Sequence, residues 1–596
     1  MTLIQTSRPR NVNYLRAAGI LYGDWGTSKA YVLGLAYALA GRSSFWFIFG
    51  ISILTLMVGV NYIKICRFYP RGGGVYTSVR ERSKVLSLIG AFFLISDYLV
   101  TAALSSLSAF HYLGVSRPEV WAILSIALLG LFNLLGPKHT GSFALGLAIP
   151  TVIVVICLGG ISLPFLPKAA QLLTPISGHI FHDWNIFVGI VVALSGIESI
   201  ANLTGSMKLD PGSTEEKPSV VETSTPAIIM VMGEVCFFTV LFGLAMNALP
   251  GLEIENGNVN APGYPDVRDA MLRYMGDFFG KSLFGSTIGD AFASVIGIVI
   301  PLLLLSAVNT AIVALSSLLF VMGRDKELPT TFETLNRFGV PFYSAILSFG
   351  FPIFLLLAIH DIAGLSHLYA IGFVGAIAVN LASTATNKKL SLKLWERCFM
   401  LITFAVMALI EVTLFIDKPH ARNFVIAVVA LGLFLRSLAE ERKAKLAVEK
   451  APSALQEFPK DIEGGYLVAV KSLGKDLTLA LEEAANQNQP LYVLFVREQR
   501  TVVESDHLRS WYDDEDAKKV YHYVAQYTHR NPVQFLYTIT SHTAYSISEI
   551  AMKKKVKGVI IGRKRKASSL LNVIRGTSVR DFARHLPEQI NLIVVY

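Results

Sequence analysis

Apolar runs of about 20 residues, the length that an α-helix needs to cross the hydrocarbon core of a bilayer, recur along the first 440 residues of this chain. They predict an α-helical membrane protein with about twelve transmembrane helices. The eighth run is long enough to include an amphipathic helix after the span. We place the spans at 17–40, 44–66, 84–112, 118–136, 142–166, 185–204, 226–249, 285–322, 340–359, 365–385, 394–416 and 420–437.

The composition excludes a soluble globular chain of this size, because 53% of the 596 residues are hydrophobic, only 16% are charged and the mean hydropathy is +0.51. Residues 1–16 are polar and basic, and the first apolar run continues past any small-residue cleavage pattern, so we expect no cleavable signal peptide. Because the four cysteines lie far apart in the sequence, we expect neither disulfides nor a zinc site; they are Cys66, Cys157, Cys236 and Cys398.

Positive charge is concentrated in alternate loops between the predicted spans, and the other loops are poor in Lys and Arg. This asymmetry predicts a multi-pass protein of the cell inner (plasma) membrane with both termini in the cytoplasm. The net charge of +10 therefore reflects membrane topology, and we expect no nucleic-acid partner. The basic residues that set the orientation are Arg8, Arg10, Arg16, Lys64, Arg67, Arg71, Arg80, Arg82, Lys84, Lys388, Lys389, Lys393 and Arg397.

Beyond residue 440 the long apolar runs stop, and short apolar strands alternate with polar-faced helical stretches. This pattern is typical of a parallel sheet in a soluble α/β domain. The strands are predicted at 467–470, 491–496, 535–539, 559–561 and 592–595. The chain thus divides into a cytoplasmic N-terminus (1–16), a transmembrane domain (17–438), a charged linker (439–463) and a cytoplasmic α/β domain (464–596).

Asp97 begins a polar stripe inside the third apolar run. Asp97, Thr101 and Ser105 follow one another at one-turn intervals and share a helix face, with Tyr98 beside it. A carboxylate at bilayer depth is costly, so such residues usually face a cavity on an ion or substrate pathway. One charge and two hydroxyls would replace part of the hydration of a potassium-like cation. Alternatively, the two hydroxyls bond back to carbonyls of their own helix.

Asp24 lies between Gly23 and Gly26 in the first run, where a spanning helix can be broken and its backbone groups turned toward a ligand. Tyr31 falls on the same face if the helix resumes after the break. Together with Asp97, Asp24 predicts a cation site within a transporter. A further role for Asp24, compatible with the first, is to cap the second half-helix.

The sixth run contains Ser195, Gly196 and Glu198, a small-residue pair followed by an acid at membrane depth. The Ser-Gly pair predicts another place where the helix can unwind. Because removal from water favours the protonated form of a carboxyl group, Glu198 is a candidate for carrying a proton. The alternative, of equal weight, is a protonated Glu198 that bonds to the backbone and serves only the scaffold.

Lys29 is an unexpected cation within the first run. On an ideal helix it lies roughly 140° round from Asp24, so it need not point toward the acids. Within the site it would compete with a bound cation for Asp24 or Asp97. Otherwise burial favours its neutral form, it pairs with Glu198 in proton coupling, or it belongs to a structural ion pair, which is the interpretation we favour.

Several segments of the chain resemble a known group of transporters. They are GILYGDWGTS at 19–28, RFYPRGGGVY at 67–76, SDY at 96–98, SGIE at 195–198 and LYAIG at 368–372. Over about residues 15–440, these segments and their order are similar to those of KUP-type potassium importers of the amino acid–polyamine–organocation superfamily. The two aspartate segments are the most specific part. Lys29 departs from the pattern, because KUP-type sequences usually have proline or an apolar residue there.

The resemblance implies a LeuT-like fold of five-plus-five inverted repeats with two additional spans, and proton-coupled potassium uptake without a resident cofactor. We also expect a homodimer in the lipid bilayer. Glu198 would couple the proton, and the glycines at 72–74 would shape a loop. Carried over by motif, the ion site would comprise Asp24, Tyr31, Asp97, Tyr98, Ser105 and Tyr369, with Thr101 and Ser195 as further oxygens.

The order of strands and helices after residue 464 resembles a universal-stress-protein module. Such modules bind ATP through a Gly-x-x-Gly-x9-Gly-Ser/Thr loop at a helix start. Here Arg565 replaces the second glycine and the spacing is one residue longer, which disfavours ATP. The basic loop can still hold a regulatory nucleotide, since a cyclic dinucleotide acts through this kind of domain in similar importers; alternatively, it is solvated near anionic lipid headgroups. The candidate contacts are Arg563, Arg565, Arg575, Gly576 and Thr577.

Three functions remain open. The first is potassium import by proton symport, with a cytoplasmic regulatory tail. The second is a proton-coupled amino-acid permease of the same superfamily. Asp24 disfavours this function because it would repel the substrate's carboxylate, whereas Lys29 partly favours it because its positive charge would attract that carboxylate. The third is a membrane-tethered sensor, which would not need polar residues inside its spans. Enzymatic activity has the least support, since no Ser/His/Asp order, metal spacing or phosphate loop stands out.

Overall fold

The computed structural model describes the chain in two parts, a helical part up to residue 447 and an α/β part from residue 464. In full, the described residues are 10, 12–80, 82–135, 140–214, 216–261, 267–336, 338–447, 464–499, 511–525, 532–562, 586–587 and 589–595. The predicted nucleotide contacts lie outside the described residues; they are Arg563, Arg565, Arg575, Gly576 and Thr577.

The first part is helical, as expected where backbone groups in hydrocarbon must bond within their own segment. A short antiparallel hairpin, β1 (Glu253–Glu255) and β2 (Asn258–Asn260), interrupts the series. The α-helices are α1 Tyr14–Trp25, α2 Ser28–Ala40, α3 Ser44–Phe68, α4 Gly74–Arg80, α5 Lys84–Leu113, α6 Pro118–Leu134, α7 Thr140–Ser162, α8 Leu166–Gln171, α9 Ile180–Gly189, α10 Ser199–Leu203, α11 Val221–Ala245, α12 Met271–Phe284, α13 Ser286–Arg324, α14 Phe342–Ala358, α15 Ile362–Thr386, α16 Leu394–Asp417 and α17 Pro419–Ala447.

Among the described residues, eight helical stretches are long and apolar enough to cross a membrane, or nine if the bent pair Ile180–Gly189 and Val191–Ser206 counts as one span. The first stretch, Tyr14–Phe68, is 55 residues long and contains α1, α2 and α3. Helices α6 and α14 are apolar but shorter. The chain is therefore a multi-pass membrane protein, and the count of twelve spans stays a prediction.

The first predicted span is interrupted. Helix α1 ends at Trp25, α2 begins at Ser28, and Gly26 and Thr27 form a turn between them. The amide nitrogen of Gly26 still donates to the carbonyl oxygen of Tyr22, at 2.9 Å. A Cβ at residue 26 would lie 2.5 Å from that same oxygen, so the turn requires glycine.

The sixth predicted span is also interrupted, with a bend of 47° between Ile180–Gly189 and Val191–Ser206. Within the second of these segments the helix also breaks between Leu194 and Ser199, where Ser195 is extended and Gly196 has a φ of +98°, a value that favours glycine. Backbone of this irregular kind is tolerated at membrane depth only where protein surrounds it or where it lines a cavity. The interruption therefore marks the inside of the bundle.

Helix α5 lies at the centre of the bundle, packed against α6, α13 and α15. Helix α1 packs against α7 and α11. Small residues permit the closest approaches: a Cβ at Gly372 of α15 would lie 2.7 Å from the backbone nitrogen of Asp97 in α5. This contact brings the carboxylate of α5 next to the side chains of α15.

The amphipathic helix that we expected after the eighth span lies before it. Helix α12 buries Met271, Met275 and Phe279 on one face and leads directly into α13. Helix α13 is continuous over its 39 residues. At 1.5 Å per residue this corresponds to about 58 Å, so α13 projects beyond the bilayer core. The prediction was wrong because the whole apolar run forms one helix, and the amphipathic α12 lies in the segment before that run.

The second part is a parallel sheet with the strand order β5-β4-β3-β6-β7. The prediction of a C-terminal α/β region is confirmed, and its resemblance to a universal stress protein stays a prediction. Its elements are β3 Tyr466–Val470, α18 Lys475–Asn486, β4 Leu491–Glu498, α19 Glu515–Ala525, β5 Val533–Thr540, α20 Thr543–Lys553, β6 Gly558–Gly562 and β7 Asn591–Val595.

Helices cover both faces of this sheet, which explains why its central strands are apolar throughout. Every residue of β5 is buried. On one face, Phe535 belongs to a core that includes residues of α18 and α19; on the other, Leu536 belongs to a core that includes residues of α20. The sheet therefore has two separate hydrophobic cores of its own.

Candidate cation-binding site

Asp97 is 1% exposed, in the middle of α5. Neither of its carboxylate oxygens accepts a hydrogen bond from the described residues. The Thr101 hydroxyl donates to the backbone oxygen of Asp97, at 2.8 Å, so this hydroxyl bonds back to its own helix as the alternative interpretation proposed. Ser105 is buried one turn further along. The stripe thus combines a carboxyl group with hydroxyl oxygens whose lone pairs can still coordinate a cation.

Tyr369 of α15 approaches the Asp97 carboxylate from the neighbouring helix. It lies about one turn before Gly372, the residue that packs against the Asp97 backbone. Tyr369 is 1% exposed. Its electrostatic neighbours are Asp97, Tyr31, Asp24 and Glu198. Tyr369 therefore interacts electrostatically with all three acids that the sequence singled out.

Asp24 is buried near the end of α1, and the hydroxyl of Ser199 in α10 donates to its Oδ2. The hydroxyl of Thr27 donates to the backbone oxygen of Asp24, at 2.5 Å. The predicted capping role is wrong, since Thr27 occupies the N-cap position of α2 and no side chain caps that end. The carboxylate of Asp24 instead connects the break in the first span with that in the sixth.

Glu198 stands at the start of α10 and is 4% exposed. Its Oε2 accepts a hydrogen bond from the amide of Gly196, at 3.2 Å, while its Oε1 has no partner among the described residues. Its charged neighbours include Asp24 and Asp97. The Glu198 carboxyl therefore bonds to the backbone, as the scaffold interpretation requires, and also interacts with the Asp97 carboxyl, with which it can share a proton.

The remaining predicted residues surround the same acids. Tyr31 of α2 is buried beside Ser195, Asp24 and Asp97. The Ser195 hydroxyl is buried in the break of the sixth span, next to Tyr31. The Tyr98 hydroxyl accepts a hydrogen bond from Asn202 Nδ2, at 2.6 Å, which joins α5 to α10.

Three residues near the acids were missed by sequence reasoning. Ser199, which bonds to Asp24, directly follows Glu198, so its place beside a helix break was a usable signal. Asn202, one turn after Glu198, carried a weaker signal of the same kind. Tyr62 of α3 is 1% exposed and interacts electrostatically with Glu198. No local pattern distinguishes this tyrosine from others in apolar runs.

Lys29 does not pair with the site acids. Its Nζ lies 2.8 Å from Oε2 of Glu234 in α11, and it also donates to the hydroxyl of Tyr22. The interpretation of a structural ion pair agrees with this geometry, although the partner is Glu234 and not Glu198. Glu234 therefore neutralises the ammonium of Lys29, whereas the carboxylate of Asp24 bonds to Ser199.

In the α/β part, β3 and β6 lie side by side, and the chain continues from them in opposite directions across the sheet. Such a switch point is where open parallel sheets bind ligands. A Cβ at Gly562, the last residue of β6, would lie 2.5 Å from Oδ2 of Asp476 at the start of α18. An acid thus reaches this edge from α18, although none directly follows β3.

The fold and the site define a multi-pass membrane protein whose interrupted helices meet around buried carboxyl groups. A sequence model described as "Amino acid permease" matches residues 12–437. This match covers most of the chain, and the chain belongs to the amino acid permease family.

Potassium transporters are among the proteins that this chain resembles. The chain is 24% identical over 450 residues to the potassium transporter KimA of Bacillus subtilis (strain 168), covering 69% of this chain and 68% of KimA. It is 27% identical over 220 residues to the low affinity potassium transport system protein Kup of Cronobacter sakazakii, covering 31% of this chain and 35% of Kup. The aligned region thus spans about a third of that Kup protein.

Among solved structures, a manganese transporter of Eremococcus coleocola superposes with a TM-score of 0.46 at 11% identity. The superposition covers 74% of this chain and 100% of the transporter. A likeness this weak carries no argument about function.

Proposed function

We propose that this chain is a secondary active transporter that imports potassium by proton symport. The names of its relatives, KimA and Kup, support potassium as the transported ion. The charge and the oxygen atoms of the site support a dehydrated monovalent cation, since such an ion requires several oxygen ligands in place of its hydration shell.

The observation that carries the proposal is the environment of Asp97. Its carboxyl group is buried at the centre of the bundle, and the charged groups that interact with it there are two other acids, Glu198 and Asp24. A buried negative charge without a cationic partner is strongly destabilising. A cation bound to the Asp97 oxygens would remove that penalty. The attraction between the carboxylate and the cation would in turn compensate the cation for its lost hydration.

The proposed ion site combines two carboxylates with neutral oxygens from three helices, α2, α5 and α15, and from the break in the sixth predicted span. Asp24 and Asp97 supply the charge. Thr101 retains acceptor capacity although its hydrogen is used within α5. The neutral oxygens belong to Tyr31, Tyr98, Thr101, Ser105, Ser195 and Tyr369.

We propose that Glu198 carries the coupled proton. Asp24, Asp97 and Glu198 interact electrostatically with one another inside the membrane. Three negative charges at such close range repel each other strongly, so a cation and a proton together balance the site better than either alone. Movement of one would therefore favour movement of the other in the same direction.

Amino-acid transport is the second candidate, because the family model that matches the chain is named for amino acid permeases. Two features of the site argue against amino-acid transport. Asp24 at the first break would repel a substrate carboxylate, and Lys29, the cation that would attract one, is bonded to both oxygens of Glu234. The site is thus better matched to a cation than to a carboxylate.

Uptake of rubidium into proteoliposomes, with and without an inward proton gradient, tests the proposal. We expect accumulation of rubidium that the gradient increases and that potassium inhibits. Uptake of an amino acid without any uptake of rubidium would overturn the potassium assignment. Rubidium uptake that does not depend on the proton gradient would support the assignment of the ion but contradict proton symport.

We further propose twelve spans with five-plus-five inverted repeats, cytoplasmic termini and a homodimer. The breaks in the first and sixth predicted spans support the repeat, because they stand at corresponding positions of two five-span units. The distribution of Lys and Arg supports the orientation. Labelling of single cysteines introduced into the loops, from one side of the membrane at a time, tests both the count and the orientation.

The tail is proposed to regulate transport by binding an anionic nucleotide at the basic loop after β6. The parallel sheet and its switch point support a ligand at this edge. Substitution of Arg563 and Arg565 by alanine in the full chain should abolish regulation by nucleotide while leaving basal rubidium uptake intact. Loss of basal uptake, or unchanged nucleotide binding, would contradict this assignment.

A further inference from the structure

A cluster of two buried side chains, Tyr22 and Lys29, and the half-buried Glu234 spans the break in the first span. Lys29, in the first turn of α2, is 1% exposed, and its Nζ lies 2.8 Å from Oε1 and 2.8 Å from Oε2 of Glu234 in α11. The Nζ also donates to the hydroxyl of Tyr22 in α1, at 3.1 Å, and that hydroxyl donates to Glu234 Oε1, at 2.9 Å. Each member of this Tyr22–Lys29–Glu234 cluster is thus bonded to the other two.

The cluster joins the two half-helices to each other and to a third helix. Tyr22 precedes the turn, Lys29 follows it, and Glu234 belongs to α11, which packs along α1. The Nζ of Lys29 lies 4.7 Å from the centroid of the Tyr22 ring, and a Cβ at Gly26 would lie 2.7 Å from atoms of that ring. The side chains of the cluster therefore restrain a turn that lacks continuous helical hydrogen bonding.

The same turn presents Asp24. Asp24 lies between Tyr22 and Lys29 in sequence, and its carboxylate bonds to Ser199 and not to the cluster. The residues that restrain the break and the acid that faces Ser199 thus make contacts with different parts of the bundle. Because Glu234 neutralises Lys29, the cluster restrains the backbone around Asp24 without contributing an unpaired positive charge.

We propose that the Tyr22–Lys29–Glu234 cluster positions Asp24 for the transported cation by fixing α1 and α2 against α11. Lys29 is a positioning residue in this arrangement, since it acts through the backbone and does not contact the ion. The inference rests on the proposed function, and it assigns a role to the lysine that distinguishes this chain from the KUP-type pattern.

The test compares Lys29→Met, Glu234→Leu and the double variant, measuring thermal unfolding and rubidium binding by calorimetry on the purified full chain. Each single variant leaves the charge of its partner unpaired inside the bundle and should lose stability. The double variant removes both charges and should regain most of that stability. Its affinity for rubidium should nevertheless remain about 10- to 100-fold below wild type, as for other residues that orient the ligands of an ion.

Lys64→Met is the matched control. Lys64 pairs with Glu396 at 2.6 Å and joins α3 to α16, outside the three helices of the cluster. This variant should bind rubidium as the wild type does. A double variant of the cluster with wild-type affinity would overturn the positioning role and leave the potassium assignment standing. A wild-type protein that binds no rubidium would overturn the proposed function itself, and the inference with it.

Discussion

Gly196, at the break in the sixth predicted span, packs directly on Trp25 at the break in the first: a Cβ at residue 196 would lie 2.5 Å from the Trp25 backbone nitrogen. The two interruptions are therefore one structural feature. Asp24 precedes one side of this contact and Glu198 follows the other, so the packing of two backbones brings the two acids together. Asp97 faces them from α5, which has no such interruption.

Gly196→Ala should disrupt this contact. The added Cβ would collide with the Trp25 backbone, and the φ of +98° would be strained for alanine, at a cost on the order of 1–3 kcal/mol for the backbone conformation alone. We expect lower thermal stability and loss of rubidium uptake. Gly233→Ala is the control, because nothing lies within 4 Å of a Cβ at that position of α11. Equal behaviour of the two variants would contradict the role of this packing.

Asp97→Asn should abolish cation uptake while leaving the protein folded. The amide keeps the volume of the side chain but removes the charge that compensates the ion for its dehydration. Uptake in proteoliposomes should fall to the level of empty vesicles. Glu411→Gln provides a chemically matched control, since Glu411 of α16 is also a carboxyl group without a hydrogen-bond partner among the described residues. An affinity for rubidium equal to that of the wild type in the Asp97 variant would contradict the assignment of Asp97 to the ion site.

Glu198→Gln should uncouple transport from pH more than it weakens ion binding. The amide cannot release a proton, yet it can still accept the hydrogen bond from the Gly196 amide. We expect rubidium exchange to persist while accumulation driven by the proton gradient is lost. If the pH profiles of exchange and of gradient-driven uptake both match wild type, Glu198 belongs to the scaffold.

Ser199→Ala should weaken rubidium binding about 10- to 100-fold, because Ser199 orients the carboxylate of Asp24 by donating to its Oδ2. The expected change is in affinity, measured by calorimetry, with little effect on the maximal rate of uptake. Ser206→Ala is the control, since the Ser206 hydroxyl bonds only to the nearby Leu203 carbonyl among the contacts described. An unchanged affinity in the Ser199 variant would remove Asp24 from the ion site.

The tail offers a prediction that is independent of transport. Asp514 accepts hydrogen bonds from Arg497, from the Tyr537 hydroxyl and from the amides of Asp516 and Ala517. Burial raises the pKa of Asp514, but the bonds from Arg497 outweigh it and hold the pKa below its ordinary value of 3.8. The stabilisation is therefore present above that pH and is lost as the pH falls through the lower pKa of the folded state.

Asp514→Asn should accordingly destabilise the tail at neutral pH by about 1–3 kcal/mol, the usual cost of leaving a buried partner unsatisfied. Hydrogen exchange of residues 511–525 in the full chain is the measurement. Exchange should be faster in the variant at neutral pH, and the difference from wild type should shrink under acid conditions. A difference that does not depend on pH would exclude the linkage.

Much of the fold could be predicted from local properties of the chain. The third run was expected at 84–112, and α5 spans Lys84–Leu113. Length and apolar composition determine such a helix, because its hydrogen bonds are internal. The same reasoning failed for α12, because this amphipathic helix lies before the apolar run of α13 and is not apolar enough to stand out by composition.

Part of the candidate site could be predicted as well. Helical spacing was sufficient to align Asp97 with Thr101, and the cost of a buried charge was sufficient to single out the acids. Spacing could not decide the direction of a hydroxyl hydrogen: Thr101 donates to its own helix. Nor could it reveal Tyr62, whose position beside Glu198 depends on how α3 packs.

The sequence by itself determined which segments are apolar enough to enter a membrane, where glycine permits a break and which acids would be costly there. Only the tertiary structure decided which distant groups meet. The partner of Lys29 lies 205 residues away, at Glu234, and that of Asp24 lies 175 residues away, at Ser199. Helix formation depends on neighbours along the chain, whereas the pairing of buried charges depends on the packing of whole helices, which no local pattern encodes.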